Sequence, residues 1–183
     1  MKNICANDFW KWAYSDFMSN ALRGVLAEYI VACASNCTHR TRKEWDAYDL
    51  ETESGLKIEV KSAAYLQTWE QKRHSLIRFD IASKKAWYAQ TNQSAKEALR
   101  CADLYVFCIF DTKDKKLADP LNPNQWFFLM CPTSTLSKHF GSQRSVSLSA
   151  LEAIGLERLD FDALGTKISS TEADYSMRQH RLI

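Results

Sequence analysis

Hydrophobic and polar positions follow two different rhythms in the first third of the chain. Between Ser19 and Ala34, the apolar residues Leu22, Val25, Leu26, Tyr29, Ile30 and Cys33 recur at steps of three and four, the spacing of one helix face. The opposite side offers Gly24, Ala27 and Val31, and Arg23 and Glu28 are the only charges, so the helix is expected to be well buried. Ser19 or Asn20 is its expected cap, and Asn7 or Asp8 caps a shorter helix running to Phe17. From Leu56 to Lys61 the rhythm changes to two. Leu56, Ile58 and Val60 alternate with Lys57, Glu59 and Lys61, as in a strand with one polar face. Glu53, Ser54 and Gly55 form a turn joining this strand to Trp45–Leu50, which predicts a hairpin.

Leu104–Phe110 is apolar at every position and reads as a central strand covered on both faces. Further strands are expected at Ser75–Ile81 and Trp126–Cys131. Ser62–Arg73 is expected as a helix or an irregular crossing, Ser83–Ser94 as a loop, and Ala95–Cys101 as a helical turn. A helical turn near Leu136 follows the last expected strand. Ser147 or Ser149 then caps a short helix through Ile154, with Gly155 as its stop, and residues from about 171 read as a loose polar tail. The fold class expected is α/β (α+β mixed): a central mixed β-sheet flanked by helices, in one domain over residues 1–183 whose last part, 171–183, is the tail.

Composition narrows the setting. With 183 residues, 46% of them hydrophobic, the chain can bury a sizeable core, and it shows no internal repeat or linker. Its apolar runs are far shorter than the roughly 18 residues needed to cross a bilayer. Met1–Tyr14 has no apolar block leading to a cleavage site, so a soluble, cytoplasmic protein without a membrane partner is expected. The six cysteines are then expected to be reduced thiols. Cys33, Cys37 and His39 lack a second ligand pair at zinc-like spacing. A net charge of +2 does not by itself imply a nucleic-acid partner. Local basic clusters at His39–Lys43, Lys72–His74 and Lys84–Lys85 are placed to meet phosphates if one binds.

Residues two apart on a strand project to the same side, so Glu59 and Lys61 stand together. Asp49 is as far before Ser54 as Glu59 is after it, which puts the two carboxylates opposite each other across the hairpin. Facing carboxylates repel, and a divalent cation such as Mg²⁺ (or Mn²⁺) would neutralise them. On spacing alone, the favoured reading of Lys57, Glu59 and Lys61 is the solvated face of an edge strand.

The segment WDAYDLETESGLKIEVKSAAY resembles the core motif of the PD-(D/E)xK, or restriction-endonuclease-like, nuclease superfamily. The resemblance covers about residues 20–69, and Tyr48 stands where relatives often carry Pro. It implies a restriction-endonuclease-like core and Mg²⁺-dependent hydrolysis of phosphodiester bonds, in DNA rather than RNA, by endo- or exonucleolytic cleavage. Asp49, Glu59 and Lys61 would be catalytic, and Asp49, Glu59 and the Val60 carbonyl would bind the metal. Asp46 is a rival for the place of Asp49. Glu28 is similar to the helix Glu that many members direct at the metal, and Gln67 to the Gln that some exonuclease-like branches carry beyond the lysine. Arg42, Lys72, Arg73 and Arg78 are candidate phosphate contacts, Trp69, Trp87 and Tyr88 candidate stacking platforms, and a homodimer is compatible with the superfamily. The alternative is a module of the same fold that binds nucleic acid, or a partner protein, without cutting.

Overall fold

The Ser19 hydroxyl accepts a hydrogen bond from the Leu22 N–H at 3.3 Å and starts the second helix where the sequence predicts it. The computed structural model describes residues 3–42, 47–85, 87–88, 93–94 and 97–180. Its elements are α1 (Ala6–Ala13), α2 (Asn20–Ala34), β1 (Leu50–Glu51), β2 (Lys57–Ala64), β3 (Arg78–Asp80), β4 (Trp87–Tyr88), β5 (Gln93–Ser94) and β6 (Leu104–Phe110). There follow β7 (Trp126–Pro132), α3 (Thr133–Phe140), β8 (Ser145–Ser147), α4 (Leu148–Ala153) and α5 (Phe161–His180). The main sheet has the order β1-β2-β6-β7. β1 is antiparallel to β2, β2 parallel to β6, and β6 antiparallel to β7, so the sheet is mixed. A smaller sheet pairs β3 with β8, and β4 pairs with β5.

Alternation along β2 and β6 divides the interior in two. Ile58, Val60 and Ala64, with Val106 and Cys108, face a core closed by α2 and α5. On the other side, Tyr105, Phe107 and Ile109 pack with Phe79 and Ile81 around β3 and with Leu136, Leu148 and Leu151 of α3 and α4. β6 is buried along its whole length, as its apolar sequence requires. Helices and a small sheet therefore cover a mixed central sheet, the expected fold class. Among the described residues, no helix is long and apolar enough to cross a membrane.

Several elements differ from the sequence reading. The core-facing side of α2 includes Ala27 and Val31, which are fully buried, while Tyr29 is 59% exposed. Small residues face inward because α5 lies close: a Cβ added at Gly165 would stand 3.0 Å from the Ala34 carbonyl oxygen. α1 stops at Ala13 and buries none of its residues. β2 continues to Ala64, after which the chain to Arg73 takes the irregular crossing, one of the two expected forms, and β3 keeps three residues of the expected seven. In place of a helical turn at 95–101, Leu99 forms a β-bridge with Lys84, while residues 95 and 96 lie outside the described residues. The sheet region also continues past α3, through β8.

The expected tail at 171–183 is corrected most. Through His180 it is the second half of α5; residues 181–183 lie outside the described residues. Phe161, Leu164, Ile168 and Tyr175 keep helical spacing on one side and pack into the α2 core, with Leu164 and Ile168 fully buried. The polar surface of this helix resembled a tail only because its apolar stripe is narrow.

Candidate active site

The hairpin is set by its turn. Gly55 adopts φ +86°, a left-handed conformation that costs glycine little, and its N–H donates to the Thr52 carbonyl at 3.1 Å. Glu172 of α5 holds the turn from the other side: its Oε1 accepts from the Ser54 N–H at 3.2 Å and the Ser54 hydroxyl at 2.9 Å. Leu50 pairs with Ile58 and Glu51 with Lys57, the register predicted by centring the turn on Ser54. β1 itself is short. One residue before it, the Asp49 N–H also donates to the Ile58 carbonyl, at 3.1 Å, so two successive residues address Ile58 in the manner of a bulge. That bend lets the Asp49 carboxylate take the place of a backbone acceptor: Oδ2 receives the Val60 N–H at 2.7 Å.

On β2, Glu59 and Lys61 project together. Glu59 is 8% exposed, and its Oε1 accepts from Lys61 Nζ at 2.6 Å. The floor beneath them is apolar, because β6 sets Tyr105 beside Glu59 and Phe107 beside Lys61. Burial first, and then the Glu59 charge, push the Tyr105 phenol well above its usual range. Asp49 belongs to the same electrostatic unit. Burial, followed by repulsion from Glu59, raises its carboxyl from 3.8 to about 6, against the opposing Val60 N–H bond and Lys61 charge. Asp49, Glu59 and the Val60 carbonyl between them are the oxygen donors able to serve a hard cation. Among the described residues, no three Asp, Glu, His or Cys side chains are gathered closely enough to hold an ion by themselves.

Glu28 lies close enough to add to the raised pKa of Asp49. Its oxygens are engaged by Arg42, which donates from Nε at 2.5 Å and from Nη2 at 3.1 Å, a forked contact beside a cavity of about 200 Å³. Arg42 thus spends donors on Glu28 while its side chain stays exposed. Gln67 lies past the end of β2, buried, with Nε2 donating to Ser75 Oγ at 3.1 Å and to the Ala64 carbonyl at 3.4 Å. Those bonds tie together the chain leaving β2 and are not directed at the carboxylates. Lys72 and Arg73 line an open depression of about 500 Å³ in the same irregular segment, with Trp69 exposed at its edge. Arg78 projects from β3, its Nη2 donating to Ser145 Oγ at 3.2 Å. Asp46 and the side chains of Trp87 and Tyr88 lie outside the described residues.

One member of the cluster has no motif. Lys84 Nζ reaches the same Glu59 Oε1, at 3.4 Å, from the segment after β3. Burial alone would lower its pKa, but the Glu59 charge prevails and raises it. Its only sequence signal was the basic pair Lys84–Lys85. A separation of 25 residues from Glu59 carries no periodic information, and the contact depends on how β3 packs against β2.

The family model described as bacteriophage T4 endonuclease IV matches residues 11–129. That span contains α2, the hairpin, β3 and β6, and with them every side chain of the cluster. A search of curated proteins finds no match to the chain.

Proposed function

The chain belongs to the bacteriophage T4 endonuclease IV family, and from that premise we propose that it is a metal-dependent DNA endonuclease of the PD-(D/E)xK type, working at Asp49, Glu59 and Lys61. The observation that carries this reading is the partly buried Asp49 carboxylate close enough to the buried Glu59 carboxylate of the same hairpin to feel its charge, with Lys61 Nζ 2.6 Å from Glu59. Two carboxylates and one backbone carbonyl fit Mg²⁺ or Mn²⁺, because Mg²⁺ is commonly held by one or two carboxylates and keeps several of its waters. When bound, such an ion supplies Lewis-acid polarisation of the phosphate and of the attacking water.

The protein's own contribution follows from its geometry. Asp49 is oriented by the Val60 N–H, so its other oxygen is fixed without a side-chain partner having to move. A carboxyl raised to about 6 by burial and then by the Glu59 charge is mostly ionised at neutral pH, the form in which it would hold a cation. Lys61 stays beside Glu59, where its ammonium can orient the water attacking phosphorus and offset charge gathering on the phosphate oxygens. The apolar floor of Tyr105 and Phe107 strengthens both effects by excluding solvent beneath them.

Cleavage of plasmid and single-stranded DNA in Mg²⁺ or Mn²⁺ tests the proposal. Glu59→Gln and Lys61→Ala are each expected to lower the rate by about 100-fold or more. Undiminished cutting by both variants would overturn the assignment, and DNA binding without cutting by the wild type would favour the non-catalytic alternative.

A further inference from the structure

Lys84 meets Glu59 from a different element than Lys61, and its backbone position is rigid. Lys84 and Leu99 exchange two hydrogen bonds of 3.0 Å, N–H to carbonyl in each direction. Next to Leu99, Arg100 braces the preceding segment by donating from Nε to the Ile81 carbonyl at 2.9 Å, and it donates to Ser137 Oγ at 3.0 Å and the Gly141 carbonyl at 2.9 Å. The root of the side chain is therefore fixed, while the side chain itself remains 62% exposed. An ammonium has three donors, and Glu59 occupies one.

Two ammoniums on one carboxylate oxygen supply more positive charge than Glu59 needs. Lys61, 16% exposed and at 2.6 Å, is the closer and more enclosed partner. Lys84, at 3.4 Å and open to solvent, is the one able to turn to a ligand. Because both touch the same oxygen, the ammoniums lie no further apart than those two distances combined, a span that one phosphate group bridges. Asp80 is the acidic group that also acts on Lys84 from β3.

We propose that Lys84 is a substrate-binding residue of this site, its ammonium holding a backbone phosphate of the nucleic acid at the bond to be cut, across from Lys61. The inference rests on the nuclease reading above. On binding, the phosphate takes the exposed donors of Lys84 and loosens its long contact with Glu59, leaving Glu59 Oε1 to the closer Lys61.

The test is binding of a fluorescently labelled DNA oligonucleotide to the full chain in EDTA, followed by anisotropy across salt concentrations, for wild type, Lys84→Ala and Lys84→Arg. Loss of one phosphate contact reduces the slope of log affinity against log salt by about 1. Over a roughly fourfold rise in salt, wild type should therefore weaken roughly three- to fourfold more than Lys84→Ala, while Lys84→Arg should behave as wild type. In cleavage assays, Lys84→Ala should raise KM more than it lowers kcat. A Lys84→Ala protein with wild-type affinity and salt slope would overturn the inference even if Glu59→Gln abolishes cleavage. Cutting by Glu59→Gln at the wild-type rate would instead overturn the nuclease reading, while the anisotropy result still decides the phosphate contact.

Discussion

Replacing Asp49 by asparagine should stabilise the metal-free protein at neutral and alkaline pH and do little in acid. The native carboxyl titrates near 6 instead of 3.8 because it is buried beside Glu59. Between those two values the folded state binds more protons at this position than the unfolded state, so stability falls as pH rises through the window. The full displacement corresponds to at most about 3 kcal/mol. The substitution removes the charge but keeps a side-chain oxygen able to accept the Val60 N–H that Asp49 Oδ2 now receives at 2.7 Å. Urea unfolding of both proteins in EDTA, at intervals from about pH 3.5 to 8, isolates the effect, since every other titrating group is common to the pair. The wild type should lose up to about 3 kcal/mol relative to Asp49→Asn across this range, almost all of it between about pH 4 and 7. A difference that is flat with pH, or of opposite sign, would refute the raised Asp49 pKa that burial and the Glu59 charge together produce. Adding Mg²⁺ at about pH 8 to roughly 100 times its dissociation constant should then return about 2.7 kcal/mol to the wild type and much less to the variant.

The contacts that position the hairpin make two further predictions. Glu172→Ala leaves the Ser54 N–H and hydroxyl without their shared acceptor and should cost about 1–3 kcal/mol in chemical denaturation at neutral pH. Burial tends to raise the Glu172 carboxyl, but the bonds from Thr52 and Ser54 outweigh it and hold it below its usual range. The loss should therefore be complete above the ordinary carboxylate range and shrink as the solution is acidified through it. Two glycines in helices should respond oppositely: Gly24→Ala enters open space on α2 and should raise stability by about 1 kcal/mol, whereas Gly165→Val presses on the Ala34 carbonyl and should cost about 1–3 kcal/mol, both read from thermal unfolding.

Much of the hairpin was legible in the sequence because its information is local. Period-two alternation from Leu56 to Lys61 is a property of extended backbone, so Glu59 and Lys61 had to share a side. Ser54 and Gly55 marked the turn, and with its position known the pairing of Leu50 with Ile58 followed from counting. The same holds for the wholly apolar β6, and for Ser19 and Ser147, whose hydroxyls cap α2 and α4 at 3.3 and 3.2 Å. Each depends on residues within a turn or two of one another.

Tertiary structure decided the rest, because it depended on which distant surfaces meet. Nothing in the spacing of α2 could choose Ala27 and Val31 as the buried residues over Tyr29, since that follows from the closeness of α5 at Gly165. The segment Phe161–His180 is held as a helix by packing Leu164 and Ile168 against α2, not through any apolar run of its own. Glu28 was visible as a lone acid in an apolar helix, but its bond to Arg42 joins residues 14 positions apart through a loop. Lys84 came to Glu59 only because β3 lies beside β2. Sequence alone determined the strand that presents Glu59 and Lys61 together; only the packed fold decided what else reaches Glu59, because such contacts are fixed by many weak interactions between segments far apart in the chain.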